Sequence, residues 1–146
     1  IVSAIRQLLE FKAVGKGTAS RWKLRLLEGV VELKAIVFVM SDFMSTDYKK
    51  TLQIAGRKHD VTGIRVYDQR ETEMPKIGLV QFIDQETGKT QLINTSSKSV
   101  RTKYAAYHKE CAAYFKESFT RSDAGAIDLE TRENYTKKLL GYFKAR

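Results

Sequence analysis

Apolar and polar positions along this chain change their period several times, and the changes divide it into elements. Ala35-Ile36-Val37-Phe38-Val39-Met40 is an unbroken apolar run, β-branched at three positions, that stops abruptly at Ser41-Asp42. A strand apolar on both faces calls for cover on both faces, as the central strands of parallel α/β sheets have. Next, Tyr48, Leu52 and Ala55 share one helical face, closed by Arg57-Lys58-His59, whose cations suit a helix C-terminus. Ser45 and Thr46 are its cap candidates, and Asp47 is expected in its first turn. Residues 61–67 read as a second strand, ended by Asp68. Strand, helix and strand over about thirty residues make a βαβ unit, with parallel pairing and a right-handed crossover.

Further along, residues 78–84 and 90–94 flank the short Gly-containing stretch 85–89, the pattern of an antiparallel hairpin. The hairpin is expected to join the sheet and make it mixed on one side. Between strand 61–67 and the hairpin lies a charged loop, 69–76, holding the only proline, Pro75. Ser96 or Ser97 is placed to cap a long helix over 98–121, with Val100, Tyr104, Tyr107, Cys111, Tyr114 or Phe115, and Ser118 or Phe119 along its seam. Such an aromatic stripe reads as core packing. Residues 126–129 predict a short strand. Thr131 is the expected cap of a last helix, with Glu133 in its first turn and Tyr135, Leu139, Tyr142 and Phe143 on one face. At the other end, residues 1–11 carry an amphipathic pattern. Gly15-Lys16-Gly17-Thr18 breaks it, and Thr18 or Ser20 precedes a helix pattern from Trp22 to Leu33.

Composition narrows the class without naming a function. The chain has 146 residues, 42% hydrophobic and 29% charged, which fits one ordinary globular domain. No apolar run reaches the length of a membrane span. One cysteine, Cys111, excludes an internal disulfide and fits a reducing compartment, so a cytoplasmic location is expected. The net charge of +9 raises the question of nucleic acid. The basic residues are nevertheless scattered, and no zinc-finger spacing or RNP-type aromatic motif accompanies them, so a solvated surface is the simpler account. His108 and Cys111 stand three apart on the long helix, and His59 is the only other histidine. Two ligands without a second pair do not make a zinc site, and nothing around Cys111 resembles a nucleophile–base pair.

Several stretches carry a family resemblance in order and spacing. They are Gly15-Lys16-Gly17-Thr18, the run from Ile36 to Phe43, Arg57-Lys58-His59-Asp60-Val61, Val66-Tyr67-Asp68-Gln69-Arg70-Glu71, and Thr131-Arg132-Glu133-Asn134-Tyr135 with Leu139 and Phe143. Together they resemble the bacterial domain-of-unknown-function-58 proteins, which carry a von Willebrand factor A-like domain. The resemblance implies a Rossmann-like three-layer α/β sandwich and, in metal-binding members, a metal-ion-dependent adhesion site for Mg²⁺ or another divalent cation. In that site Thr18 matches the threonine position and Asp42 the aspartate, with Ser41 beside it. Hydroxyl and carboxylate oxygens suit a hard cation. The family's D-x-S-x-S loop does not occur in these residues, and Ala19 follows Thr18 where the family often has an acid. The expectation is therefore the C-terminal part of a single von Willebrand factor A-like domain over 1–146, unable to hold the metal alone. The strand at 35–41 is then expected to border another chain or the missing N-terminal half, or to show a bare edge.

Three functions compete on these grounds. The first is a non-enzymatic protein-interaction module, with a MoxR-type AAA+ ATPase as the partner that family analogy suggests. The second is a metal-dependent hydrolase or nuclease using the strand-end carboxylates Asp42, Asp68 and Glu71, though no phosphate-binding glycine motif supports it. The third is a basic nucleic-acid-binding domain.

Overall fold

A computed structural model describes residues 33–83 and 88–145. The helix patterns expected over 1–11 and from Trp22, with Thr18 between them, lie outside the described residues, as does most of the hairpin loop 85–89. Five strands and three α-helices follow in order: β1 (Ile36–Ser41), α1 (Lys49–Lys58), β2 (Asp60–Tyr67), β3 (Leu79–Ile83), β4 (Thr90–Asn94), α2 (Lys98–Thr120), β5 (Gly125–Glu130) and α3 (Tyr135–Ala145). A single 3-10 turn, Gln69–Thr72, follows β2.

Three strands form a parallel sheet in the order β1-β2-β5. The chain steps across it in one direction, so two crossovers of the same hand put α1 and α2 on the same face. Their shared core bears this out: Tyr48, Leu52 and Ala55 from α1 and its start pack with Phe115 and Phe119 from α2, beside Val61 and Phe43. On the opposite face, Leu139 and Tyr142 of α3 pack over Ile64, Ile127 and Leu129. Gly63 marks a tight contact between the sheet and α2. A Cβ there would collide with the ring of Phe119 and stand 2.9 Å from that of Phe115. The expected Rossmann-like α/β layering is thus present, with helices on both faces of a parallel sheet.

Several local expectations need correction. The hairpin does form, with Val80 opposite Ile93 and Phe82 opposite Gln91, but it is a separate two-stranded sheet and not an extension of the first. The reason is topological: β2 already has β1 on one side and β5 on the other, so no edge remains where the chain leaves it. The hairpin is instead closed at its base by Thr95, whose N–H and hydroxyl both donate to the Gly78 carbonyl at 2.8 Å.

Helix starts also differ from the capping pattern. Tyr48 occupies the position before α1, no side chain caps it, and no acid lies in its first turn. The helix begins where Tyr48 enters the core against Phe43 and Tyr114, so packing and not Ser45 or Thr46 sets the boundary. Ser97 precedes α2 without a side-chain cap bond. Arg101 instead donates to the carbonyls of Thr95 and Ser96, while Asn94 Oδ1 accepts from the Ser96 N–H. At α3 the capping oxygen belongs to Asn134, which accepts from the Lys137 N–H at 3.0 Å, and not to Thr131. No acid lies in its first turn either; Glu133 pairs with Lys138 from outside the helix.

A last correction concerns β1. Among the described residues it is not covered on both faces, because its burial alternates along the strand. Val37 and Val39 pack against the α1/α2 core. Ile36, Phe38 and Met40 are 70%, 53% and 64% exposed. An uninterrupted apolar run has no alternation of its own to reveal this; only the placement of the neighbours does.

Candidate functional site

The carboxyl ends of β1, β2 and β5 bring most of the expected site residues to one edge of the sheet, where open α/β folds place their ligands. At the end of β1 the backbone turns sharply through Phe43, whose φ is +52° and whose side chain is fully buried. That conformation costs about 1–3 kcal/mol for a bulky residue. Burying a phenylalanine ring gives about 1.5–3 kcal/mol in return, and here the ring packs 4.6 Å from Phe115 and 5.4 Å from Phe119. The turn is further held by its polar residues. Ser41 Oγ donates to Asp42 Oδ1 at 3.2 Å, the Phe43 N–H to Ser41 Oγ at 3.3 Å, and the Met44 N–H to Asp42 Oδ1 at 3.4 Å. From α2, Tyr107 Oη donates to the Met44 carbonyl at 2.6 Å and ties the turn to that helix.

Asp68 ends β2 in a similar way. Its Oδ1 accepts the Arg70 N–H at 2.8 Å and starts the 3-10 turn. That backbone bond holds its carboxyl below the usual range, helped by the nearby Arg132 guanidinium and the Thr131 hydroxyl. Ser41, the last residue of β1, is level with Arg65, whereas β2 continues to Tyr67 before Asp68. β2 thus runs two residues further than β1, about 7 Å at the rise of a strand. The exposed carboxylates Asp42 and Glu71 and the half-exposed Asp68 therefore border the same edge without converging. Among the described residues no three His, Cys, Asp or Glu side chains approach closely enough to hold a metal ion. Of the adhesion-type set, Ser41 and Asp42 are side by side, and Thr18 lies outside the described residues. Asp42 Oδ1 is occupied by its own turn, and two adjacent donors fall short of a cation shell on their own. The described donors do not amount to a metal centre.

His108 and Cys111 have structural surroundings. Burial raises the Cys111 thiol and lowers the His108 imidazole, whose ring lies 4.6 Å from that of Tyr104. A thiol raised by burial is a poor nucleophile and a poor metal ligand at neutral pH.

A charge cluster under α2 was not singled out from the sequence. Arg65 Nε donates to Asp128 Oδ1 at 2.5 Å, Lys116 Nζ lies 2.9 Å from Asp128 Oδ2, and the Arg65 guanidinium sits 4.3 Å from the centre of the Tyr67 ring. Arg65 is buried, and Asp128 faces it directly across the β2–β5 register. The available signal was a charge inside each of two apolar strands, Ile64-Arg65-Val66 and Ile127-Asp128-Leu129.

The two edges of the parallel sheet differ in kind. The outer strand β5 carries Asp128 and Glu130, and Lys116 closes over Asp128, a charged guard of the sort that discourages further pairing. β1 reads Ile-Val-Phe-Val-Met-Ser, without charge, proline or bulge, and among the described residues it has a strand neighbour on one side only. The Ala35 carbonyl accepts the Asp60 N–H at 2.9 Å, which turns the backbone groups of Ala35, Val37, Val39 and Ser41 towards β2. The N–H and C=O groups of Ile36, Phe38 and Met40 therefore face the open side.

The chain matches the sequence profile of a family described as "Protein of unknown function DUF58" over residues 1–114. It is also similar to a Mycobacterium avium protein named "Uncharacterized protein MAV169", 27% identical over 116 residues, which covers 77% of this chain and 67% of that one. No solved structure matches it at a significant level. No helix among the described residues is long and apolar enough to cross a membrane.

Proposed function

This chain belongs to the DUF58 family of proteins of unknown function, and from that premise we propose that it acts as a non-enzymatic protein-interaction module. The reading is supported by one observation above the others: β1 offers an uncharged edge with three outward N–H and C=O pairs, while β5 at the far side is guarded. Such an edge is a template for strand addition, in which main-chain hydrogen bonds supply affinity. The strand that completes it comes from a partner or from a further part of the same domain. In the complete domain, of von Willebrand factor A type, Ser41, Asp42 and Thr18 contribute to a divalent-cation site that a partner's carboxylate finishes. By family analogy the partner is a MoxR-type AAA+ ATPase. The module works in the cytoplasm, where its buried Cys111 stays reduced.

Two measurements test the two halves of this reading. Hydrogen exchange at the Ile36, Phe38 and Met40 amides should slow when a MoxR-type ATPase is added; unchanged exchange there, with protection elsewhere, removes β1 from the interface. Calorimetric titration with Mg²⁺ or Mn²⁺ should give weaker binding for Asp42→Ala than for the parent chain extended upstream of residue 1. Equal affinity would take Asp42 out of the site.

A further inference from the structure

We infer that two copies of this chain pair through the hairpin, strand β3 against strand β3 in antiparallel register, to form one four-stranded sheet. This goes beyond the reading above and uses neither the β1 edge nor the cation donors. Among the described residues neither hairpin strand makes extensive contact with another helix or strand, and Thr95 ties the pair to the body at its base. Leu79, Gln81 and Ile83 of β3 share a face with Thr90, Leu92 and Asn94 of β4, and all six are exposed. Leu79, Ile83 and Leu92 are 64%, 59% and 63% exposed. A two-stranded hairpin is marginal by itself in water and needs further strands or a packed face. A second hairpin supplies those strands.

The hairpin also lies away from where the upstream chain joins the sheet. The chain reaches β1 at the amino end of that strand, whereas the hairpin leaves from and returns to the carboxyl end of the sheet, between β2 and α2. Glu73 and Met74, just before the hairpin, border a groove with Lys98, Arg101 and Ala105 of α2. The helical pitch puts those three α2 residues on the flank opposite Tyr114 and Glu117, which meet Tyr48 and Lys49 at the start of α1. The hairpin base is therefore on the β5 side of the molecule, and a strand that completes β1 is on the other.

Register and charge choose the occupant. The Thr95 N–H donates to the Gly78 carbonyl, so the N–H and C=O groups of Leu79, Gln81 and Ile83 point away from β4. β3 thus offers three outward donor–acceptor pairs on an edge without charge, proline or bulge. A two-fold axis through Gln81 joins two such edges, setting Leu79 of each copy opposite Ile83 of the other. Apolar pairs placed opposite one another stabilise a sheet. No charged side chain occurs from Ile77 to Ile83 or from Thr90 to Ser97, in a chain of net charge +9. Two copies can meet there without bringing like charges face to face. The β4 edge suits less: the same symmetry sets Thr90 opposite Asn94, and Asn94 Oδ1 already accepts the Ser96 N–H.

Two five-residue strands make a contact far smaller than the roughly 20–30 residues a side of a stable complex, so the dimer forms with rising concentration. The test is sedimentation equilibrium of the full chain up to about 1 mM, with isotope-filtered NOE spectra of an equal mixture of ¹³C-labelled and unlabelled chain. The expected result is a reversible dimer with a signal between the Leu79 and Ile83 methyl groups of different copies. Within one strand these residues lie roughly 13 Å apart, too far to give it. Gln81→Pro removes an N–H that makes no bond to β4, and Ile83→Lys puts a charge on the edge. Each should weaken association about tenfold or more and keep the thermal transition; Ile83→Lys serves if Gln81→Pro disturbs the hairpin. A chain that stays monomeric throughout overturns the inference. So does a dimer that both variants retain, or one whose signals between copies join Thr90 to Asn94 and so place it on β4.

Discussion

Tyr48 is buried, and its hydroxyl has no hydrogen-bond partner among the described residues. Burial raises its phenol well above the ordinary value of 10.0, and the neighbouring Tyr114 adds to the effect. A folded-state value above the unfolded one gives a contribution that is complete below about pH 10 and is lost as the pH climbs past it. Tyr48→Phe should therefore melt at the same temperature or higher at neutral pH, since an unpaired buried hydroxyl costs about 1 kcal/mol or more. It should also resist alkaline unfolding better than the parent. Melts followed by circular dichroism from neutral to alkaline pH check both; a lower transition at neutral pH would mean that the hydroxyl has a partner in solution. Arg65 behaves in the opposite way because it is paired. Arg65→Met leaves Asp128 with Lys116 alone and should cost about 3 kcal/mol by denaturant titration. The double variant Arg65→Met/Asp128→Leu should recover a large part of that loss. At this scale Asp42 was legible as a polar strand terminus, because the apolar run stops there. The Arg65–Asp128 pair was not, because the partners are 63 positions apart and only the β2–β5 register joins them.

Elements are set by packing more than by their ends. The boundaries of the strands and of the long helix were readable from periodicity, whereas the expected caps at Ser45, Thr46 and Thr131 were not those used. A capping hydroxyl contributes about 1 kcal/mol, less than the burial of an aromatic ring, so Tyr48 decides where α1 begins. The same preference for packing explains Gly63. Gly63→Ala should destabilise by about 2 kcal/mol or more through overpacking against Phe119 and Phe115, and Phe119→Leu in the same chain should restore part of it. Thermal unfolding of the two variants tests this; an unchanged transition in Gly63→Ala would show that α2 can move away from the sheet without cost. The hairpin shows the limit of local reading. Its turn and alternation specify two paired strands, but nothing within residues 78–94 says which sheet, if any, they extend.

Among the described residues, the three-stranded sheet has two unequal edges. Phe38→Lys places on β1 the kind of charge that β5 already carries, and it should lower any self-association at that edge without lowering the thermal transition. Light scattering and calorimetry of parent and variant would show it; a large loss of stability would mean that Phe38 is part of the core and not of an interface. The sequence by itself determined the α/β class, the βαβ unit, the hairpin and the polar tip at Ser41-Asp42, because these depend on periodicity and on residues close along the chain. It also carried the family resemblance over most of its length. Only the tertiary structure decided that, among the described residues, β1 has a strand neighbour on one side and the hairpin is separate, that β1 ends before β2 does, and that Arg65 meets Asp128. Each of these depends on which distant segments become neighbours, and an apolar run such as Ile36–Met40 reads the same whether one of its faces is covered or both.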